Sequence, residues 1–175
     1  MSTAQISLWI AAAALLFWAV GAYNRLVRLR GTIVRQFAAV DAQFRARQAL
    51  LQQLIDMLAL ALPHAAERLE TLRAACTQAD AACAHARLRP GAVGAITSLR
   101  LADDIVAEAR ARLPVQSMPG QALAPLNAQL AATAVTLAFA RSQFNDAVEA
   151  YNFAVRQFPT LLLVGWFGFR VAGTL

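Results

Sequence analysis

Cys76, Asp80 and Cys83 are the residues whose types and spacing most invite chemistry. Two thiolates and a carboxylate are ligand types for zinc, and steps of four and three place them on one helix face. A metal site would need further ligands from other helices, and the sequence indicates none. Both cysteines also fall on an apolar stripe, where a free thiol behaves as a small hydrophobe. A Cys76–Cys83 disulfide is excluded within a helix, because residues seven apart are separated by ~10 Å along it. His64 and His85 stand ~21 residues apart on the same element, roughly 30 Å, and cannot share a site within one chain. His64 with Glu67 reads as a helix start. Asp103, Asp104 and Glu108 form an acid cluster, but Arg100 precedes Asp104 by four and Arg112 follows Glu108 by four. That is the pattern of a solvated, salt-bridged face. There is no phosphate-cradling glycine loop and no nucleophile motif. The expectation is no catalytic residue, no metal, no cofactor, and no enzyme.

Composition turns attention to the bilayer. Of 175 residues, 59% are hydrophobic types and only 15% are charged, against about half and a quarter in soluble domains. Two cysteines exclude a disulfide-stapled mini-protein, and the apolar content excludes a disordered tail. Sixteen basic residues against ten acidic give a net charge of +6, and every basic residue is arginine. The simplest reason for the missing lysine is an arginine-rich genome. The arginines are scattered, without interleaved aromatics, which argues against nucleic acid as a partner.

The elements that must position these groups begin with a span. No charged side chain occurs from Met1 to Tyr23, and Ile6 to Tyr23 supplies ~18 apolar-rich residues, near the ~20 that cross a bilayer. A cleaved signal peptide is the rival reading. It needs a basic start that Met1–Gln5 lacks, although Val20-Gly21-Ala22 is a weak cleavage site. Arg25, Arg28, Arg30 and Arg35 follow the span with no acid before Asp41. Positive charge stays inside, so the body is expected in the cytoplasm of the cytoplasmic (inner) membrane, with Met1 outside. The same arginines suit anionic lipid headgroups.

The remainder reads as helices. Positions 33, 37, 40, 44, 47, 51, 54 and 58 alternate steps of four and three, all apolar except Arg47. This seam predicts one helix from Asn24 to Leu62, continuous with the span and stopped by Pro63. A second helix is expected over His64–Leu88, with a seam of Leu69, Leu72, Cys76, Ala79, Cys83 and Ala86. Arg89-Pro90-Gly91 forms the turn after it. A third, less regular helix covers Ala92–Arg112, with Ile96, Ile105 and Ala109 among its apolar positions. Leu113–Gly120 must be a loop, since it holds Pro114, Pro119 and Gly120. A fourth helix runs over Gln121–Gln157, with apolar residues at 123, 130, 137, 144, 151 and 158. The expected fold is all-α: an N-terminal transmembrane helix continuous with an antiparallel four-helix bundle. It divides into an anchor (1–23), the bundle (24–157) and an apolar tail (158–175). The tail's run from Leu161 to Phe169 is too short to span. It either lies in the membrane interface, packs on another chain's membrane helix, or folds strand-like over the bundle's end.

Two blocks carry a family resemblance. The first is Tyr23-Asn24-Arg25-Leu26-Val27-Arg28-Leu29-Arg30, followed by Val40-Asp41-Ala42-Gln43-Phe44-Arg45-Ala46-Arg47. The second is Ala140-Arg141-Ser142-Gln143-Phe144-Asn145-Asp146-Ala147-Val148, then Tyr151-Asn152, Phe158-Pro159 and Phe167-Gly168-Phe169. These resemble the LemA family of small bacterial membrane proteins. The resemblance implies an N-terminal anchor, a cytoplasmic helical bundle, no established enzymatic activity, and an accessory or scaffold role. Two departures stand out. The family's Leu-Ile-Pro-Asn-Leu-Val-like stretch is Leu51-Gln52-Gln53-Leu54-Ile55 here, and Ala134 replaces a glutamate.

The residues expected to serve a membrane interface or an interaction are Tyr23, Asn24, Arg25, Arg28, Arg30, Arg141, Asn145, Tyr151, Asn152, Phe158, Pro159, Trp166, Phe167 and Phe169. The Tyr-Asn pairs are placed at one level, where they could bond across the first and last helices or satisfy helix ends. Membrane lipids, and a membrane-protein partner or self-association, are the expected partners. The functional expectation is a membrane-anchored interaction or assembly scaffold. A sensor or small-molecule or lipid-binding bundle is the alternative, since alanine-rich seams leave gaps.

Overall fold

A computed structural model describes residues 2–113, 120–158, 160, 165 and 167–175. Four helices make up the described chain. α1 is a single helix, Thr3–Ala61, of 59 residues, about 88 Å long at ~1.5 Å per residue. It has no interior proline to break it. Pro63 ends it: the Leu62 N–H closes the last turn on the Leu58 carbonyl at 2.8 Å, and the chain then enters a short 3-10 turn, Pro63–Ala65. α2 covers Ala66–Leu88 and α3 covers Val93–Ala111. Gly91 between them has φ +94°, a conformation that glycine alone adopts without steric penalty. α4 covers Gly120–Arg156, with Pro125 in its second turn. There the missing N–H removes only one bond near the helix start. Residues 114–119 of the expected loop lie outside the described residues.

α1 is the organising element. It packs against both α4 and α2, and α2 packs against α3, whereas α3 and α4 share no comparable seam among the described residues. The contacts between α1 and α4 fix their register. Arg25 reaches Gln157, the Phe37 and Phe144 rings meet edge to face at 5.8 Å, and Gln43 meets Thr136. Seven of the eight α1 seam positions are buried apolar residues, and all six expected in α2 are buried. On α4 the heptad run Leu123, Leu130, Leu137, Phe144 and Tyr151 is buried.

Two expected apolar positions depart from the core. Phe158 is 77% exposed, because α4 ends at Arg156 and the helical repeat no longer aims residue 158 inward. Ile105 is exposed as well; α3 turns Ile96, Leu99, Ala102, Val106 and Ala109 inward instead.

The first part of α1, before Tyr23, is largely uncovered by the described residues. Leu8, Trp9, Ile10, Leu15, Leu16 and Phe17 are exposed, and the first buried residue is Leu26. Among the described residues, two helices are long and apolar enough to cross a membrane. One lies within Gln5–Ala61, with its most apolar window wholly unburied, and the other within Leu123–Arg156, partly buried.

The contrast between buried and exposed phenylalanines on α4 is testable. Phe144→Ala should lower stability by about 3–5 kcal/mol, the range for deleting a core aromatic. Phe139→Ala, on the exposed face, should change it by no more than about 0.5 kcal/mol. Thermal unfolding in mild detergent followed by circular dichroism separates the two, and equal losses would refute the core assignment.

Candidate functional site

Among the described residues, three buried polar side chains interrupt the core: Asp41, Gln48 and Asp103. Asp41 and Gln48 are one heptad apart on α1 and face α2. Arg87 donates to Asp41 through Nη2 at 2.7 Å, Arg45 donates at 2.9 Å, and the Cys83 thiol donates at 3.3 Å. Gln48 donates to the Cys76 carbonyl at 2.9 Å and to Asp80 at 3.0 Å. Burial pushes the Asp41 pKa up, but the Arg87 and Cys83 hydrogen bonds and the Arg87 and Arg45 charges prevail and hold it below the ordinary value. Burial and the Asp41 carboxylate push the Cys83 thiol up to about 12, so it stays protonated and is a poor nucleophile. Among the described residues no group of three or more His, Cys, Asp or Glu is placed to hold a metal.

Asp103 corrects the expectation of a solvated acid face. It is buried, one oxygen taken by Arg47 from α1 and the other by Arg141 from α4. Arg47, the seam's one charged residue, lays its guanidinium over the Phe44 ring at 4.5 Å. Burial works to raise the Asp103 pKa, and the two arginines more than offset it, so the carboxyl is held below the ordinary 3.8. Arg112 and Glu108, further along α3, do pair on the surface. Beside the triad lies an open groove of about 460 Å³ lined by Arg47, Ala134, Leu137, Arg141 and Ser142. Ala134 is the position where the resemblance implies a glutamate. The Nε atoms of Arg47 and Arg141 are buried without a hydrogen-bond partner.

The tail divides. Phe158 and Phe167 are exposed, but Phe169 is buried, and Ala172 and Leu175 pack against the core. Asn152 accepts from the Ala172 N–H at 2.7 Å and donates to its carbonyl at 2.9 Å. Asn145 does the same with Leu175, at 2.9 and 2.8 Å. One heptad on α4 rises ~10.5 Å, close to the ~10 Å reach of three residues of chain, so the spacing of the two amides matches that of Ala172 and Leu175. The Gly173 N–H donates to the Gly91 carbonyl at 3.0 Å. A Cβ on Gly173 would come 3.0 Å from the Val93 Cα, so any larger residue there would have to push the tail and α3 apart by a few tenths of an ångström. The tail thus occupies part of the seam that α3 and α4 leave open.

The sequence-nominated residues fall in two places. Tyr23 packs against Phe167 and Phe169, with ring centroids 5.1 and 5.8 Å apart. Arg25 donates to Gln157 at 3.4 Å, and Tyr151 is buried. Asn152 gives its amide to Ala172, not to Asn24; Asn24 and Arg28 have exposed side chains. Arg141 is remote from this end, ~24 Å along α4 from Gln157. Pro159 and Trp166 lie outside the described residues. A cavity of about 650 Å³ opens next to this cluster, lined by Arg30, Arg89, Arg170, Tyr151 and the turn from Leu88 to Gly94.

A family model described as the LemA family matches residues 36–174. The chain belongs to the LemA family. No curated relative and no solved structure matches it. The LemA match takes in most of α1 beyond its apolar part, the buried polar network, both asparagine clamps and the tail down to Thr174. Sequence reasoning placed Asn145 and Asn152 in the candidate set but missed what they hold. It missed Asp41, Gln48 and Asp103 as buried groups. The visible signal for the Asp103 triad was Arg47, the one charge in an apolar seam.

Two predictions arise from this geometry. Asn152→Asp keeps the acceptor for the Ala172 N–H but loses the donor and sets a carboxylate against a carbonyl, a loss of about 1–3 kcal/mol. Amide exchange at 170–175 should accelerate, and unchanged protection would refute the clamp. The Asp103 pKa is depressed, so its stabilising contribution is present above pH ~4 and lost as pH falls through the folded value. Asp103→Asn should flatten the acid-side loss of stability. At neutral pH it should cost about 3 kcal/mol, because the Arg47 charge stays buried with its partner gone. Melting curves from pH 3 to 7 test both, and an unaltered acid limb would count against the triad.

Proposed function

We propose that this LemA-family chain is a single-pass protein of the bacterial cytoplasmic membrane whose antiparallel four-helix bundle, on the cytoplasmic face, is a non-enzymatic interaction or assembly scaffold. The observation that carries this reading is α1. Its apolar first part is largely uncovered among the described residues, and the same helix runs without a break into a packed core. A fully exposed stretch of this size is stable only against lipid or another apolar surface. The arginines at 25, 28, 30 and 35 set the orientation, with the N-terminus outside. The opposed order of the α1–α4 contacts supports the antiparallel arrangement and returns the tail to the Tyr23 level. Val135, Phe139 and Phe153 are large apolar residues exposed along α4, which supports docking of a membrane-protein partner or a second copy. A lipid or small-molecule-binding bundle is the second reading, and the 650 Å³ cavity favours it.

Phe139 and Phe153, both exposed on α4, are the positions for a photoreactive residue. Crosslinking in intact membranes followed by mass spectrometry should give a discrete protein adduct or a dimer of this chain. Extraction by alkaline carbonate, or crosslinks at both positions to lipid alone, would overturn the scaffold reading.

A further inference from the structure

The cavity beside the tail has a wall chemistry that no contact within the chain uses. Three arginines line it from three separate segments: Arg30 from α1, Arg89 from the α2–α3 turn, and Arg170 from the tail. No Asp or Glu is among the lining residues, and no ion pair neutralises any of the three among the described residues. The buried Tyr151 closes one side, near enough to Arg30 for that charge to act on its hydroxyl. The first turn of α3, with Val93 and Gly94 on the wall and no side chain capping it, adds free backbone N–H groups. The remaining wall is apolar: Ile33, Val34, Leu88, Phe169 and Val171. Three exposed arginines on one wall, with no acid among them, give the space a positive potential that favours an anion.

We infer that this cavity binds the phosphate of an anionic phospholipid headgroup, held by Arg30, Arg89 and Arg170. The inference rests on the membrane placement proposed above. Arg30 is ~10 Å along α1 from Tyr23, the last residue of the apolar stretch. The headgroup layer is about 5–8 Å deep on each side of the hydrocarbon, and a guanidinium on its flexible stem covers the difference. The volume of about 650 Å³ exceeds what a bare phosphate fills, and the apolar wall suits the glyceryl and first acyl carbons. A soluble phosphate has the same charge chemistry but leaves that wall wet.

The test uses the full chain in detergent, titrated with phosphatidylglycerol or phosphatidylcholine and read by native mass spectrometry. Inorganic phosphate forms the soluble arm, read by melting temperature alongside phosphatidylglycerol. Retention of phosphatidylglycerol over phosphatidylcholine is expected. Arg89→Gln and Arg170→Gln should each weaken it about fivefold, the size of one juxtamembrane basic contact. Arg100→Gln, exposed on α3 and outside the cavity, should leave it unchanged. Circular dichroism establishes that each variant is folded. Equal retention of the two lipids, or wild-type retention in both cavity variants, overturns the inference. Protection by inorganic phosphate equal to that by phosphatidylglycerol assigns the cavity to a soluble phosphate and overturns the lipid source. Carbonate extraction of the same chain from membranes separates the two failures. A chain that stays in the membrane without a lipid preference sinks only the pocket, and a chain that washes off sinks the membrane placement.

Discussion

A carboxylate stays ionised inside an apolar core only where cations follow it there. Two such groups set the arrangement of this molecule. Asp41 draws Arg87 of α2 and Arg45 of its own helix, and Asp103 of α3 draws Arg47 of α1 and Arg141 of α4. Apolar seams alone would tolerate sliding by a heptad, since one leucine resembles the next. A buried charge does not tolerate it, because a slip leaves the carboxylate and its arginines unpaired in low dielectric. The polar groups are therefore best read as register pins, a specificity role that buried polar residues have in coiled coils. α1 takes part in both, so its position relative to α2, α3 and α4 is fixed at once.

The tail solves a different problem. α3 and α4 leave a seam open, and the irregular tail fills part of it. A chain segment outside helix or sheet has unpaired amides and carbonyls, which are expensive to bury. Asparagine is suited to this place because its side chain carries a donor and an acceptor side by side, as a backbone amide does. Two of them at a heptad spacing on α4 each pair both the N–H and the C=O of one tail residue. Gly91 supplies a third anchor from the α2–α3 turn, and Gly173 permits the close approach to Val93. The tail thereby ties α4 to the turn between α2 and α3, which no helix–helix contact does.

Helix identity and most of the core were legible because a repeating apolar spacing is a local signal. The stripe from Ile33 to Leu58 and the one from Leu123 to Tyr151 are each read within one element. The pairings were not legible, because Arg47 and Asp103 lie far apart in the chain and an acid beside surface-like acids reads as exposed. Asp104 and Glu108 are on the surface, and Asp103 is turned inward by a single 100° step along α3. The asparagine clamps were hidden for another reason. Their partners are backbone groups, which every residue carries, so the sequence of the tail holds no complementary side chain to find. Phe158 was misplaced because its heptad spacing persists past the point where the helix stops.

The absence of lysine takes on a different meaning beside this geometry. A genome's preference explains why surface cations are arginine, but three arginines here do what lysine does poorly. Arg87 presents two nitrogens to Asp41 at once, with Nε 3.2 Å from one oxygen and Nη2 2.7 Å from it. Arg47 offers a flat, weakly hydrated cation to the Phe44 ring while it reaches Asp103. An ammonium is a compact and strongly hydrated charge, costlier to bury and without the fork that holds a carboxylate by two bonds. Arginine at 47 and 141 is thus suited to burial, and at the half-exposed position 87 to a two-nitrogen hold on Asp41, whereas at exposed positions such as Arg68 the structure shows no contact that would tell the two apart.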